Sequence, residues 1–190
     1  MKWVIGCLIQ KRSEGENKMK FCMKFGDTNF IGVANAAKYN SFVDEDWKFD
    51  SLLQHFGDEI KQAHLLVFQM TEEGIEYSWK VDVRVGTEEI GDTFFRKAAG
   101  YIEVTENQLY LVDYDCLTMA AQFEDQHVPD QNCSNYKIDI DNGYYKVEVV
   151  QYYNVDKDEY IGGNDTDLLL NFIKVPAIKP IAESVFWCTY

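Results

Sequence analysis

Proline is scarce and long apolar runs are missing. The 190 residues hold 3 prolines and 12 glycines, too few for a disordered or low-complexity chain. No apolar stretch approaches the length that crosses a bilayer. Cysteines at metal or redox spacing are missing as well. Cys7, Cys22, Cys116, Cys133 and Cys188 are odd in number, widely spaced and form no CxxC. That usage suits buried free thiols in a reducing cytoplasm. Cys7 follows Val4-Ile5-Gly6, a loose likeness to a lipoprotein cleavage box, but the apolar stretch before it is too short for a signal sequence. His55, His64 and His127 occur in no HxH, HExxH or HxxxH pairing, so zinc lacks histidine support and no metal or cofactor is expected.

Catalytic signatures are lacking too. There is no GxSxG elbow, no family-specific cysteine motif and no GxxxxGK phosphate loop. Cys116 and Cys133 lie near His127 in the chain, but proximity in sequence is not geometry. Residues 156–167 place Asp at positions one, three and twelve of a calcium-loop register. Tyr160 at position five, Ile161 at six and Asp167 in place of Glu at twelve break it where the geometry is strict. The expectation is therefore a protein that is not an enzyme.

The remaining shortage is positive charge. Lys+Arg is 18 against 32 Asp+Glu, a net charge of −14 and a sequence pI near 4.5. Such a chain repels nucleic acid and anionic membranes and steers toward basic proteins, although acidity also keeps an aromatic-rich chain soluble. The basic residues are scattered and form no stripe interleaved with aromatics.

What is present is a core. The chain is 46% hydrophobic and 15% aromatic, enough for a single domain over residues 1–190 that stands without staples. Strict alternation marks strands. In residues 135–155, Tyr136, Ile138 and Ile140 alternate with Lys137, Asp139 and Asp141; beyond Asn142-Gly143, Tyr145, Val147 and Val149 alternate with Lys146 and Glu148. Asn-Gly predicts a type I′ hairpin there, and Glu106-Asn107 predicts another between residues 101–105 and 108–114. Further strands are expected over residues 3–10, 19–25, 77–85 and 168–175. Residues 64–70 read as a central strand. Phe49, Leu52, Leu53, Phe56 and Ile60 share one helical face, with Asp46 or Asp50 as its cap. Residues 115–123 fit a short helix or a strand. The fold class is mainly β (α+β): an antiparallel β-sandwich or curved sheet with one amphipathic helix.

Acids concentrate in the connections: Asp44, Glu45 and Asp46; Glu72 and Glu73; Glu88, Glu89 and Asp92; Glu124, Asp125 and Asp130; and residues 156–167. Gathered on one side, they would form a face for a cationic partner, with Tyr152, Tyr153 and Tyr160 as anchors.

Val104-Thr105-Glu106-Asn107, then Tyr136-Lys137-Ile138-Asp139-Ile140, then Gly143-Tyr144-Tyr145 and a following strand resemble the second half of the competence-associated inhibitor of the DNA-entry nuclease. The resemblance has no counterpart for residues 1–60. It implies a small acidic inhibitor that blocks a nuclease, and it carries over no functional residue.

Together these readings give an acidic cytoplasmic binding protein: an immunity protein that occludes the active site of a basic toxin such as a nuclease, with no nucleic-acid or membrane partner. The expected partner-binding residues are Asp156, Asp158, Glu159, Tyr160, Asp165 and Asp167, with Glu124 and Asp125 second. A ligand-binding or enzymatic β domain with an aromatic-lined pocket, and a structural or phage accessory protein, remain as alternatives.

Overall fold

A computed structural model describes residues 17–24, 26–74, 76–86, 89–163, 165–179 and 184–190. The strand expected over residues 3–10 lies outside them. Two sheets face each other. In the first, β1 (Asn17–Met23), β4 (Trp79–Val85), β11 (Leu168–Val175), β8 (Gly143–Gln151) and β5 (Arg96–Val104) lie side by side in that order. All neighbours run antiparallel except β4 and β11, which are parallel. In the second, β3 (Leu65–Gln69), β2 (Phe30–Ala34), β6 (Gln108–Asp113) and β7 (Lys137–Asp139) are all antiparallel. A short pair, β9 (Tyr153–Asn154) and β10 (Glu159–Tyr160), extends one end.

Period-two alternation builds the space between the sheets. Trp79, Val81, Val83, Val147, Val149, Leu168 and Leu170 from the first sheet meet Ile31, Val33, Leu66, Phe68, Leu109 and Leu111 from the second. The opposite positions of the five-stranded sheet mix buried residues such as Val150, Leu169 and Asn171 with paired charge. Lys20 meets Asp82 at 3.6 Å, and Lys97 and Lys146 both meet Glu148, at 3.3 and 3.0 Å.

The second sheet has a further layer on its other face. There, α1 (Phe49–Lys61) and α2 (Tyr114–Gln122) pack Leu52, Phe56, Leu117, Ala120 and Ala121 against Phe30, Ala34, Leu65, Val67 and Val112. The sequence pointed to one helix; α2 resolves the ambiguity over residues 115–123. The cap of α1 is neither Asp46 nor Asp50. The Lys48 N–H donates to Ser51 Oγ at 3.0 Å, and Ser51 Oγ donates back to the Lys48 carbonyl at 2.6 Å. In α2, Asp113 is the cap, its Oδ1 accepting from the Cys116 N–H at 2.8 Å. No helix among the described residues is long and apolar enough to cross a membrane.

The three layers explain the reading of residues 64–70. All five residues of β3 are buried, yet β3 is an edge strand of its sheet, not a central one. Its run is apolar throughout because sheet and helices cover both its faces. The C-terminal segment covers its free edge: the Gln69 N–H donates to Phe186 O at 3.0 Å and the Phe186 N–H to Val67 O at 2.9 Å.

Both turn signals sit where the chain reverses, but neither makes the expected hairpin. Glu106 and Asn107 have φ of 58° and 55°, the backbone of a type I′ turn. Of the Asn142-Gly143 pair, only Gly143 has a positive φ, at +141°. Beyond a single bridge between Thr105 and Gln108, β5 and β6 part into different sheets, as do β7 and β8. The pairing runs between the two arms instead. Val104 faces Gly143 in one sheet and Gln108 faces Asp139 in the other, so four steps forward in one arm match four steps back in the other. A single antiparallel ribbon folds over at this end and supplies strands to both sheets. Two asparagines clasp the fold: the Asn107 N–H donates to Asn142 Oδ1 at 2.6 Å, and the Asn142 N–H to Asn107 Oδ1 at 3.2 Å.

Candidate functional site

The residues singled out around 156–167 follow from how β8 ends. Past Gln151 the chain forms β9, a 3-10 turn over Val155–Lys157, a left-handed Asp158 (φ 50°) and then β10. Tyr153 therefore pairs with Tyr160, their ring centroids 4.5 Å apart. Tyr77 stacks on Tyr153 at 4.9 Å, and Trp79 meets Tyr77 edge-on at 4.9 Å. Tyr153 is buried, so its ring is a floor beneath the turn and not a surface anchor.

Two acids hold that floor. Tyr153 donates its hydroxyl to Asp158 Oδ1 at 2.6 Å, and Tyr160 donates to Asp167 Oδ1 at 2.8 Å. The hydrogen bond to Asp158, with burial, pushes the Tyr153 hydroxyl above its ordinary ionisation range. Burial first, then the bond to Asp167, does the same for Tyr160. Asp167 is fully buried. Its Oδ2 accepts the Lys80 N–H at 2.8 Å and its own N–H donates to Lys80 O at 2.9 Å, tying β4 to the start of β11. That carboxylate does not reach the surface.

Asp156 and Glu159 are exposed. Asp156 also accepts the Glu72 N–H, at 3.3 Å to Oδ1, which brings the Glu72–Glu73 turn beside it. Arg96 lies beneath. It donates to Gln151 Oε1 at 2.7 Å and Gln69 O at 2.6 Å, and its guanidinium stacks 4.3 Å over Trp187. Burial pulls Arg96 down to about 10, opposed by the charges of Asp156 and Glu72. Asp165 is exposed in a different place, a groove of about 350 Å³ lined by Arg84, Asp92, Tyr152 and Gly162.

Glu124 and Asp125 belong to the helical layer. The Val43 and Asp44 N–H groups donate to Ala121 O at 2.9 and 3.2 Å, and Gln122 Nε2 donates to Glu45 O at 3.2 Å. The loop carrying Asp44, Glu45 and Asp46 is thus laced to the end of α2, where Glu124 and Asp125 emerge. All five acids are exposed. Large apolar side chains surface at the same place. Met119 is 45% exposed and Phe123, the residue that ends α2, 40%, its N–H donating to Met119 O, and Phe42, 38% exposed, enters beside Val43. Sequence reasoning missed the three because each reads as an ordinary core residue; a second apolar face on α2 was the available signal. Segments 42–48 and 119–127 together hold five acids and one lysine, Lys48.

A second groove, about 380 Å³, lies between α1 and the C-terminal segment and is lined by Leu53, Gln54, Asp58, Lys61, Val185 and Tyr190 among others. Each of these two grooves has a single aromatic residue in its lining and no histidine.

No family model and no curated protein matches the chain. Among solved structures, "Crocagin biosynthetic gene J" is similar over 84% of this chain and 98% of its own, at 11% identity and a TM-score of 0.55. The crystal structure of ComJ, inhibitor of the DNA degrading activity of NucA, from Bacillus subtilis, is similar over 83% of this chain and 95% of its own, at 10% identity and a TM-score of 0.46. The first likeness is one of fold. The second is a weak structural counterpart to the resemblance read from residues 104–107 and 136–145, too distant to assign a residue or an activity.

Proposed function

We propose that the chain is a non-catalytic binding protein that occludes a basic protein, in the manner of an immunity protein set against a toxin, with a nuclease as the concrete form. The observation that carries this reading is the patch at the end of α2. Phe42, Met119 and Phe123 are exposed on two segments laced together at the end of α2, and the same segments carry exposed Asp44, Glu45, Asp46, Glu124 and Asp125. An apolar centre with a charged rim is the anatomy of a protein interface, and a rim of one sign selects a partner of the other. The outer face of the five-stranded sheet offers a contrast: its lysines and acids are paired with one another. The turn at Asp156, Asp158 and Glu159 is a second acidic surface, without an exposed aromatic in its centre.

A basic nuclease would meet the patch with the lysines and arginines that hold its substrate's phosphates, and bound there it could not reach nucleic acid. The test places a photo-crosslinking residue at Met119 in one variant and at Glu159 in another, each exposed to lysate of the native host. The expected product is a basic protein crosslinked through position 119, with a yield that falls as the salt present during irradiation rises. Capture of acidic or neutral proteins, or yield indifferent to salt, overturns the reading.

A further inference from the structure

The sequence repeats one spacing, Asp113-x-x-Cys116 and Asp130-x-x-Cys133. The fold brings the two copies together. Within each, the aspartate accepts the N–H of its cysteine: Cys116 N to Asp113 Oδ1 at 2.8 Å, and Cys133 N to Asp130 Oδ1 at 2.7 Å. Between them, the Asp130 N–H donates to Cys116 Sγ at 3.4 Å. The Sγ atoms of Cys116 and Cys133 and a carboxylate oxygen of Asp130 all lie within 4.8 Å of one another. Cys116, Cys133 and Asp113 are each 1% exposed or less. Gly26 closes the far side, where a Cβ would collide with Asp113 Oδ2.

Capping accounts for the aspartate–N–H bonds, but not for the convergence of two buried thiols and the half-buried Asp130 carboxylate. Two soft sulfurs and a hard oxygen are donors that a tetrahedral zinc-class cation takes, with its fourth position left open. Two residues between donors is the spacing of a zinc knuckle. Metal–sulfur and metal–oxygen bonds of about 2.3 and 2.1 Å require the donors to close by roughly an ångström, a rotamer adjustment. The rest is prepared: the Asp130 N–H already points at Cys116 Sγ, and Cys116 sits in the first turn of α2, where positive dipole favours a thiolate.

We propose that Cys116, Cys133 and Asp130 form a structural binding site for a zinc-class divalent cation, with Asp113 holding the Cys116 backbone beside it. Both cysteines bind as thiolates, so two thiol protons pass to solvent and no electron changes hands. The cation pins the segment after α2 back onto the base of that helix. The site stands apart from the docking reading and does not depend on it.

The test uses the full chain, reduced, stripped with a chelator and titrated with Co²⁺. The expected result is one Co²⁺ per chain with a thiolate charge-transfer band and the visible bands of a tetrahedral ion, displaced by Zn²⁺. C116S and C133S abolish the band, and D130N weakens Zn²⁺ binding roughly tenfold or more. Because a cysteine variant can fail to fold, alkylation of the wild type provides a second readout. Zn²⁺ protects Cys116 and Cys133 during partial unfolding and leaves Cys22 and Cys188 as reactive as before. No Co²⁺ band, a band that survives in both serine variants, protection at other cysteines, or a Cys116–Cys133 disulfide in the freshly purified chain each overturns the site.

Discussion

Two acidic surfaces invite comparison: the turn around Asp156–Tyr160 and the patch at the end of α2. At the turn, most of the acids are engaged by local donors. Asp158 and Asp167 hold tyrosine hydroxyls, Asp156 holds a backbone N–H, and the aromatics lie beneath the surface. At the α2 patch the order is reversed, with Phe42, Met119 and Phe123 in solvent and exposed acids on the same segments. Carboxylates in the two places thus serve different ends. An acid whose oxygens satisfy local donors contributes to the fold; one that rims exposed apolar area is available to a partner.

Substitutions can pull the two apart. The largest effect belongs to Asp167→Ala, which strands a buried N–H and the Tyr160 hydroxyl; chemical denaturation should show a loss of about 3 kcal/mol. Partner capture through α2 should survive in the fraction that remains folded. Phe123→Ala or Phe42→Ala inverts the pattern: stability stays within about 0.5 kcal/mol, while affinity for the captured partner falls about tenfold or more, read by titration. If those variants bind normally, the patch is not the interface.

Charge reversal gives a smaller and more specific effect. Glu124→Lys with Asp125→Lys should slow association about tenfold at low salt and flatten its salt dependence, measured by stopped flow. The same reversal at Asp156 and Glu159 should do less; the opposite ranking would move the interface to the turn. The mildest effect is alkaline. Tyr153 and Tyr160 hold their protons above the pH at which an unfolded tyrosine loses them, about 10. Their contribution to stability is complete below that pH and disappears as pH climbs through the raised folded values. Asp158→Asn should bring the phenolate absorbance of Tyr153 on at lower pH; an unchanged titration would deny the bond its role.

Much of this architecture was legible in the residues. Alternation marked β4 and β8, a short apolar run marked β11, and the spacing of Leu52, Phe56 and Ile60 marked α1. Turn chemistry located both reversals but could not say which strands would pair, because a tight reversal serves a hairpin and a crossing between sheets equally well. Continuous burial of β3 misled for a related reason: apolarity reports how many faces are covered, not a strand's rank in the sheet. At the surface, the acids were visible but their partners were not. Asp167 reads like its neighbours, and only the fold reveals Lys80 and Tyr160 around it.

The ribbon shared by the two sheets limits how the chain can change length. Its arms, residues 96–113 and 137–151, stay in step across the fold at Asn107 and Asn142. Deleting one residue from a single arm would turn every side chain beyond it to the wrong face, in both sheets at once. Matched deletions of two from each arm would merely shorten the sandwich. Insertions and deletions in this molecule should therefore occur in compensating pairs within those arms.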